Sequence, residues 1–145
     1  MKTVQQILRS KGSAFWFVTP DTMVYEALQL MAEKDVGALL VLDSGAQLVG
    51  IISERDYARK VILKGKSSLD TPVREIMSQP VTTVGPEQTV EECMAVMTEK
   101  RVRHLPVLVT DRVVGVVSIG DVVKASLDEK DFLIKQLENY ITGTH

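Results

Sequence analysis

Two short stretches hold the residues best suited to chemistry: GIISERD at 50–56 and GVVSIGD at 115–121. Both read Gly-x-x-Ser-x-x-Asp, and both follow an apolar, β-branched run, so each falls where a strand gives way to a helix. The first backbone N–H groups of a helix lack partners and sit at the positive end of its dipole, which makes such a junction a natural anion site. A serine hydroxyl there adds a donor for phosphate. An aspartate repels phosphate and instead suits a pair of sugar hydroxyls, as acidic residues do for ribose in dinucleotide-binding folds. Ser53 with Asp56, and Ser118 with Asp121, therefore suggest a nucleoside phosphate. The same Ser-x-x-Asp spacing is also a helix capping box, a local stabiliser worth about 1 kcal/mol that needs no ligand. Recurrence does not separate the two readings, because a duplicated scaffold copies its caps.

The recurrence belongs to a longer repeat. With Val18 set on Val84, Pro20 falls on Pro86, Glu26 on Glu92 and Met31 on Met97; one deleted residue later Gly50, Ser53 and Asp56 fall on Gly115, Ser118 and Asp121. The lead-ins also agree: Val4, Ile7 and Leu8 match Val73, Ile76 and Met77. Such register over so many positions marks a tandem duplication. Val24, Ala27, Leu28 and Met31 form one apolar face of a helix, repeated by Val90, Cys93, Met94 and Met97. Thr89 and Glu92 form a second capping box. Apolar runs at 38–42, 48–52, 105–109 and 113–117 read as strands. The turns between them come from Asp43-Ser-Gly-Ala and Thr110-Asp-Arg. A further helix starts near Asp56 and near Asp121, so each repeat runs strand, helix, strand, strand, helix.

This predicts an α+β fold with repeats at 1–66 and 67–127, the polar segment 64–72 connecting them. One repeat cannot bury both faces of its sheet, so the two are expected to pack face to face about a pseudo-twofold axis. Residues 128–145 lie outside the repeat. There Leu133, Leu137, Tyr140 and Ile141 give an amphipathic helix ended by Gly143, which either folds back on its own subunit or, as is favoured for a helix added to a finished core, makes a dimer contact.

At 145 residues, with a formal net charge of −2, the chain gives no reason to expect nucleic acid as a partner. Its start carries no apolar run of signal-peptide type, and no stretch approaches the roughly 20 apolar residues of a membrane span. A cytoplasmic protein is expected. The single cysteine, Cys93, excludes an internal disulfide and reads as core. His104 has no metal-ligand neighbours at suitable spacing, so a phosphate contact suits it better than a metal.

The chain from Val4 to about Leu127 resembles a CBS-domain pair, or Bateman module, most tellingly in GIISERD, GVVSIGD and RHLPV at 103–107. The resemblance implies two βαββα units with two clefts between them that take adenine nucleotides (AMP, ADP, ATP or NAD(H), in some members S-adenosylmethionine), with no metal required. It also implies a flat homodimeric disk. Carried onto this sequence, one cleft combines Ser53, Arg55 and Asp56 with Arg103 and His104, bordered by Ile51, Val81 and Thr82. The other combines Ser118 and Asp121 with Gly37 and Ala38, and with Val116, Phe15 and Trp16 nearby. The first cleft is richer in cations, and guanidinium groups suit phosphate. It is therefore expected to hold the phosphates of a nucleotide.

No nucleophile is paired with a base, so the expected role is that of a non-catalytic energy or redox sensor acting on an unidentified regulated protein. The rival expectation is a homodimeric interaction protein with vestigial clefts.

Overall fold

The computed structural model describes residues 1–142. The elements run α1 (Val4–Lys11), β1 (Phe17–Val18), α2 (Val24–Lys34), β2 (Ala38–Leu42), β3 (Leu48–Ser53) and α3 (Glu54–Tyr57), which continues into a π-helical turn at Ala58–Ile62. A short 3-10 turn (Val73–Glu75) precedes α4 (Val90–Lys100), β4 (His104–Val109), β5 (Arg112–Ser118) and α5 (Ile119–Thr142). The expected α+β order is complete in the first copy; in the second the leading strand is reduced to a single parallel bridge of Val84 with Val107. The tail is not a separate helix: α5 runs unbroken through residue 128 because no glycine or proline interrupts 121–142. The expected stop at Gly143 lies outside the described residues.

The chain divides into two compact units, and these are not its contiguous halves. One comprises Met1–Ser13, Thr83–Val109 and the chain from Val114 onward; the other comprises Ala14–Thr82 with Thr110–Val113. Each repeat's lead-in thus belongs with the body of the other repeat. In the first unit, the Val4 N–H donates to the Gln88 carbonyl (2.8 Å) and the Val90 N–H to the Lys2 carbonyl (3.0 Å). In the second, the Val73 N–H donates to the Thr22 carbonyl (2.7 Å), and Ser78 and Ile51 exchange two backbone hydrogen bonds (2.9 and 3.2 Å). Apolar side chains drive both dockings. Val4, Ile7 and Leu8 are buried with Val90, Cys93, Leu105 and Val117, while Val73 and Ile76 are buried with Val24, Ala27, Leu39 and Ile52.

Within the second unit the sheet order is β1-β2-β3, with β1 parallel and β3 antiparallel to β2. Ala38 pairs with Ser53. Asp43 builds the connecting turn: its Oδ1 accepts from the N–H groups of Gly45 (2.9 Å) and Gln47 (3.0 Å). In the first unit β4 and β5 form a two-stranded sheet, and Val84 adds a parallel bridge at Val107. Thr110 and Asp111 between β4 and β5 both have positive φ, the twist-matched hairpin geometry. The capping box of α4 is formed as the spacing predicts: the Glu92 N–H donates to Thr89 Oγ1 (3.1 Å), and Glu92 Oε1 accepts from the Thr89 N–H (3.2 Å).

The glycines of the repeated motif are explained by the lead-ins. A Cβ on Gly115 would lie 2.8 Å from Leu8 Cδ2, and one on Gly50 would lie 2.5 Å from Met77 Sδ. Neither glycine has positive φ, so the requirement is space. Gly115→Val should therefore destabilise by about 1–3 kcal/mol through overpacking. Combined with Leu8→Ala it should cost less than the two changes added, a coupling that urea unfolding of the four variants measures.

Candidate functional site

Each unit carries one Ser-x-x-Asp end, and both are formed as capping boxes. The Asp56 N–H donates to Ser53 Oγ (3.2 Å), and Asp56 Oδ2 accepts from the Ser53 N–H (3.0 Å). The Asp121 N–H donates to Ser118 Oγ (3.2 Å), and Asp121 Oδ2 accepts from the Ser118 N–H (2.8 Å). The carbonyl of the residue leading into each unit's central strand also meets the helix start. Gly37 accepts from the Glu54 N–H (3.1 Å) and Arg103 from the Ile119 N–H (2.8 Å).

Beyond the caps, the two aspartates differ. Asp56 Oδ2 takes a further bond from the Ser53 hydroxyl (3.1 Å). Its Oδ1 accepts from the Ser78 hydroxyl (3.1 Å) and pairs with Lys60 Nζ (3.2 Å), which also donates to the Ile76 carbonyl (2.9 Å). Four donors meet the roughly four acceptor positions of a carboxylate. At Asp121 both the Ser118 N–H and Lys11 Nζ (2.9 Å) fall on Oδ2, leaving Oδ1 for a further donor. Neither lysine stands out in the sequence. Lys60 has a local signal, i+4 from Asp56, whereas Lys11 is 110 positions from Asp121 and has none.

The first unit therefore gathers Lys11, Arg103, His104, Ser118 and Asp121 at one end. Burial opposes ionisation of Asp121, yet the Lys11 hydrogen bond, the Ser118 N–H and hydroxyl, and the Lys11 charge together hold its carboxyl below the usual range. Burial is also the main cause that keeps the His104 imidazole below its ordinary value; Asp121 pulls the other way, and Lys11 and Arg103 reinforce burial. Arg55 and Arg103 are exposed and form no ion pair among the described residues.

A family model described as "CBS domain" matches residues 12–63 and 73–128. The chain belongs to the CBS-domain family. It is 43% identical over 150 residues to the mitochondrial CBS domain-containing protein CBSX3 of Arabidopsis thaliana, covering 97% of this chain and 72% of that one. A putative signal-transduction protein with CBS domains from Burkholderia ambifaria is 51% identical, with a TM-score of 0.84 over 88% of this chain and 95% of its own. The structure of CBSX2 in complex with AMP is 27% identical, with a TM-score of 0.72 over 90% of this chain and 99% of its own.

The remaining residues expected at a CBS nucleotide site are placed as follows. Ile51, Val81, Thr82, Gly37, Ala38 and Val116 are half-buried. Phe15 is half-buried and tilted against Phe17 at a centroid distance of 6.4 Å, while the exposed Trp16 carries Lys34 Nζ 4.4 Å above its ring. An adenine stacking on that face of Trp16 would have to displace the ammonium group. Cys93 is fully buried, and burial followed by the nearby Glu92 pushes its thiol up to about 11, as suits a core side chain.

The lowered His104 value fixes a pH dependence. Below its ordinary 6.5 the unfolded chain binds a proton that the folded His104 resists. The unfolded state then holds more protons, and stability falls as pH drops through that range. Between about pH 7.5 and 5.5 the melting temperature should decline, and His104→Gln should flatten that decline. Asp121 acts in a separate window, since the stability its lowered carboxyl contributes is present above 3.8 and is lost only as pH falls below that. Thermal unfolding at half-unit pH intervals checks both.

Proposed function

We propose that this CBS-domain protein is a non-catalytic regulatory module that binds an adenine nucleotide (AMP, ADP, ATP or NAD(H)) and acts as an energy or redox sensor for a separate protein. The observation that carries the reading is the Asp121 end of the first unit. One carboxylate oxygen there is committed to Ser118 and Lys11 while the other is uncommitted, which suits acceptance of a ribose hydroxyl. Arg103, unpaired and exposed, supplies a guanidinium for phosphate. The AMP complex of CBSX2 supports the ligand class. The proposed site residues at this end are Lys11, Arg103, His104, Ser118 and Asp121. At the other end they are Ser53, Arg55 and Asp56, with Thr82.

One observation favours a second reading for the Asp56 end. Ser53, Lys60 and Ser78 already saturate Asp56, so that motif serves as a cap without any ligand. This end would then be vestigial, and in the extreme form of the reading the whole protein acts as a homodimeric scaffold.

Thermal unfolding with AMP, ADP, ATP, NAD⁺, NADH and S-adenosylmethionine separates the readings. At 100 times its dissociation constant a ligand adds about 2.7 kcal/mol, roughly 5–10 °C for a chain of this size. The expected outcome is a shift with one ligand class that Asp121→Asn abolishes and Asp56→Asn largely keeps. Arg103→Ala should weaken the more highly phosphorylated ligands most. No shift with any of the six would sink the sensor reading and leave the scaffold.

A further inference from the structure

Lys11 ends α1, and the docking of that helix decides where its side chain goes. Ile7 and Leu8, four and three residues earlier, share its face of the helix and are buried in the first unit, with Leu8 against Gly115 of β5. The same face carries Lys11 to the end of β5, where its ammonium bonds Asp121 Oδ2 (2.9 Å). An ammonium has three N–H donors. Asp121 takes one, the ammonium has no second partner among the described residues, and the side chain is 35% exposed. The lysine at Asp56 is differently placed. Lys60 spends donors on both Asp56 Oδ1 and the Ile76 carbonyl, and it lies on the same helical stretch as its aspartate.

We propose that Lys11 makes the Asp121 end select a 5′-phosphorylated nucleotide over the bare nucleoside. The inference rests on the reading that Asp121 accepts a ribose hydroxyl. A carboxylate placed there repels the phosphate that the same ribose carries, and an ammonium bonded to that carboxylate cancels the repulsion. The two spare N–H groups of Lys11 then donate to phosphate oxygens as charge-assisted hydrogen bonds. Charge counting gives the selectivity its sign. With Lys11 and Arg103 protonated, Asp121 ionised and His104 held neutral by burial, the end carries one net positive charge at neutral pH, and without Lys11 it carries none. A phosphate gains from that charge and an uncharged 5′-hydroxyl does not. Gly120 keeps the approach open: it stands where the other copy has Arg55, so no side chain covers the first turn of α5 at that position.

The test is isothermal titration calorimetry of the full chain at neutral pH with adenosine and with AMP, and the quantity read is the ratio of the two dissociation constants. Wild type should favour AMP. Lys11→Met should lower AMP affinity roughly ten- to hundredfold while adenosine shifts by less than about threefold. Lys11→Arg, which keeps the charge and the donors, should keep most of the preference. A loss shared equally by AMP and adenosine in Lys11→Met would overturn the proposal, because Lys11 would then only hold Asp121 in place. A ratio that Lys11→Met leaves unchanged, or a wild type that binds both ligands equally, would overturn it too, while the nucleotide reading would stand. A wild type that binds neither would remove the nucleotide reading itself and the selectivity with it.

Discussion

Both Ser–Asp ends depend on one kind of contact, a lead-in side chain resting on bare backbone where a glycine has no Cβ. Leu8 lies against Gly115 and Met77 against Gly50, and at each position an added Cβ would fall inside van der Waals distance. Because the strand gives way there, the lead-in can bury its apolar residues in that unit's core, Val4 and Ile7 in one case and Val73 and Ile76 in the other. The polar consequences follow from the same approach. Three residues beyond Leu8, Lys11 reaches Asp121 (2.9 Å); one residue beyond Met77, the Ser78 hydroxyl reaches Asp56 (3.1 Å). The glycine therefore serves packing, and the packing delivers the partner of the aspartate.

That arrangement lets the two copies diverge without altering the fold. A capping box and a ribose-binding carboxylate use the same atoms, so a motif can satisfy the helix terminus completely and have nothing left for a ligand. Asp56 approaches that limit, because Lys60 on the same helical stretch and Ser78 occupy the oxygen that the cap leaves. At Asp121 the lysine shares the oxygen already used by the cap. Two aspartates in equivalent places thus have different capacity to accept a further hydrogen bond, and the difference comes from residues outside the shared motif.

Local features were legible in the sequence. The duplication, the strand–helix order, the Thr89–Glu92 box and the Asp43 turn each depend on residues within a few positions of one another. The alignment of Val4-x-x-Ile7-Leu8 with Val73-x-x-Ile76-Met77 also showed that the lead-ins are equivalent. It did not show that each lead-in docks on the other repeat's body, because a match between two segments says nothing about which partner each takes. The ion pair of Lys11 with Asp121 had no sequence signal for the same reason. The family resemblance placed Arg103 and His104 with Asp56. Within the first unit His104 is also within electrostatic reach of Asp121, Lys11 and Arg103, a grouping that no local spacing announced.

The continuity of α5 joins the candidate site to the rest of the molecule's surface. The helix begins one residue after Ser118 and runs to Thr142 without a glycine or proline beyond its first turn, so its first turn and the exposed apolar residues farther along, Leu127, Leu137 and Ile141 among them, belong to one rod. A group bound at Asp121 can influence what that surface does only if it binds more tightly when the surface is covered, or when it is free. Any such coupling must be reciprocal: a partner on that surface would change nucleotide affinity by the factor with which nucleotide changes the partner's affinity. Lys11 gives that coupling a physical place to reside. It already holds Asp121 through α1, and α1 packs on α5, so a ligand that draws the ammonium away from Oδ2 loosens a contact between the two helices. A sensor of this construction would signal through the helix that caps its own site.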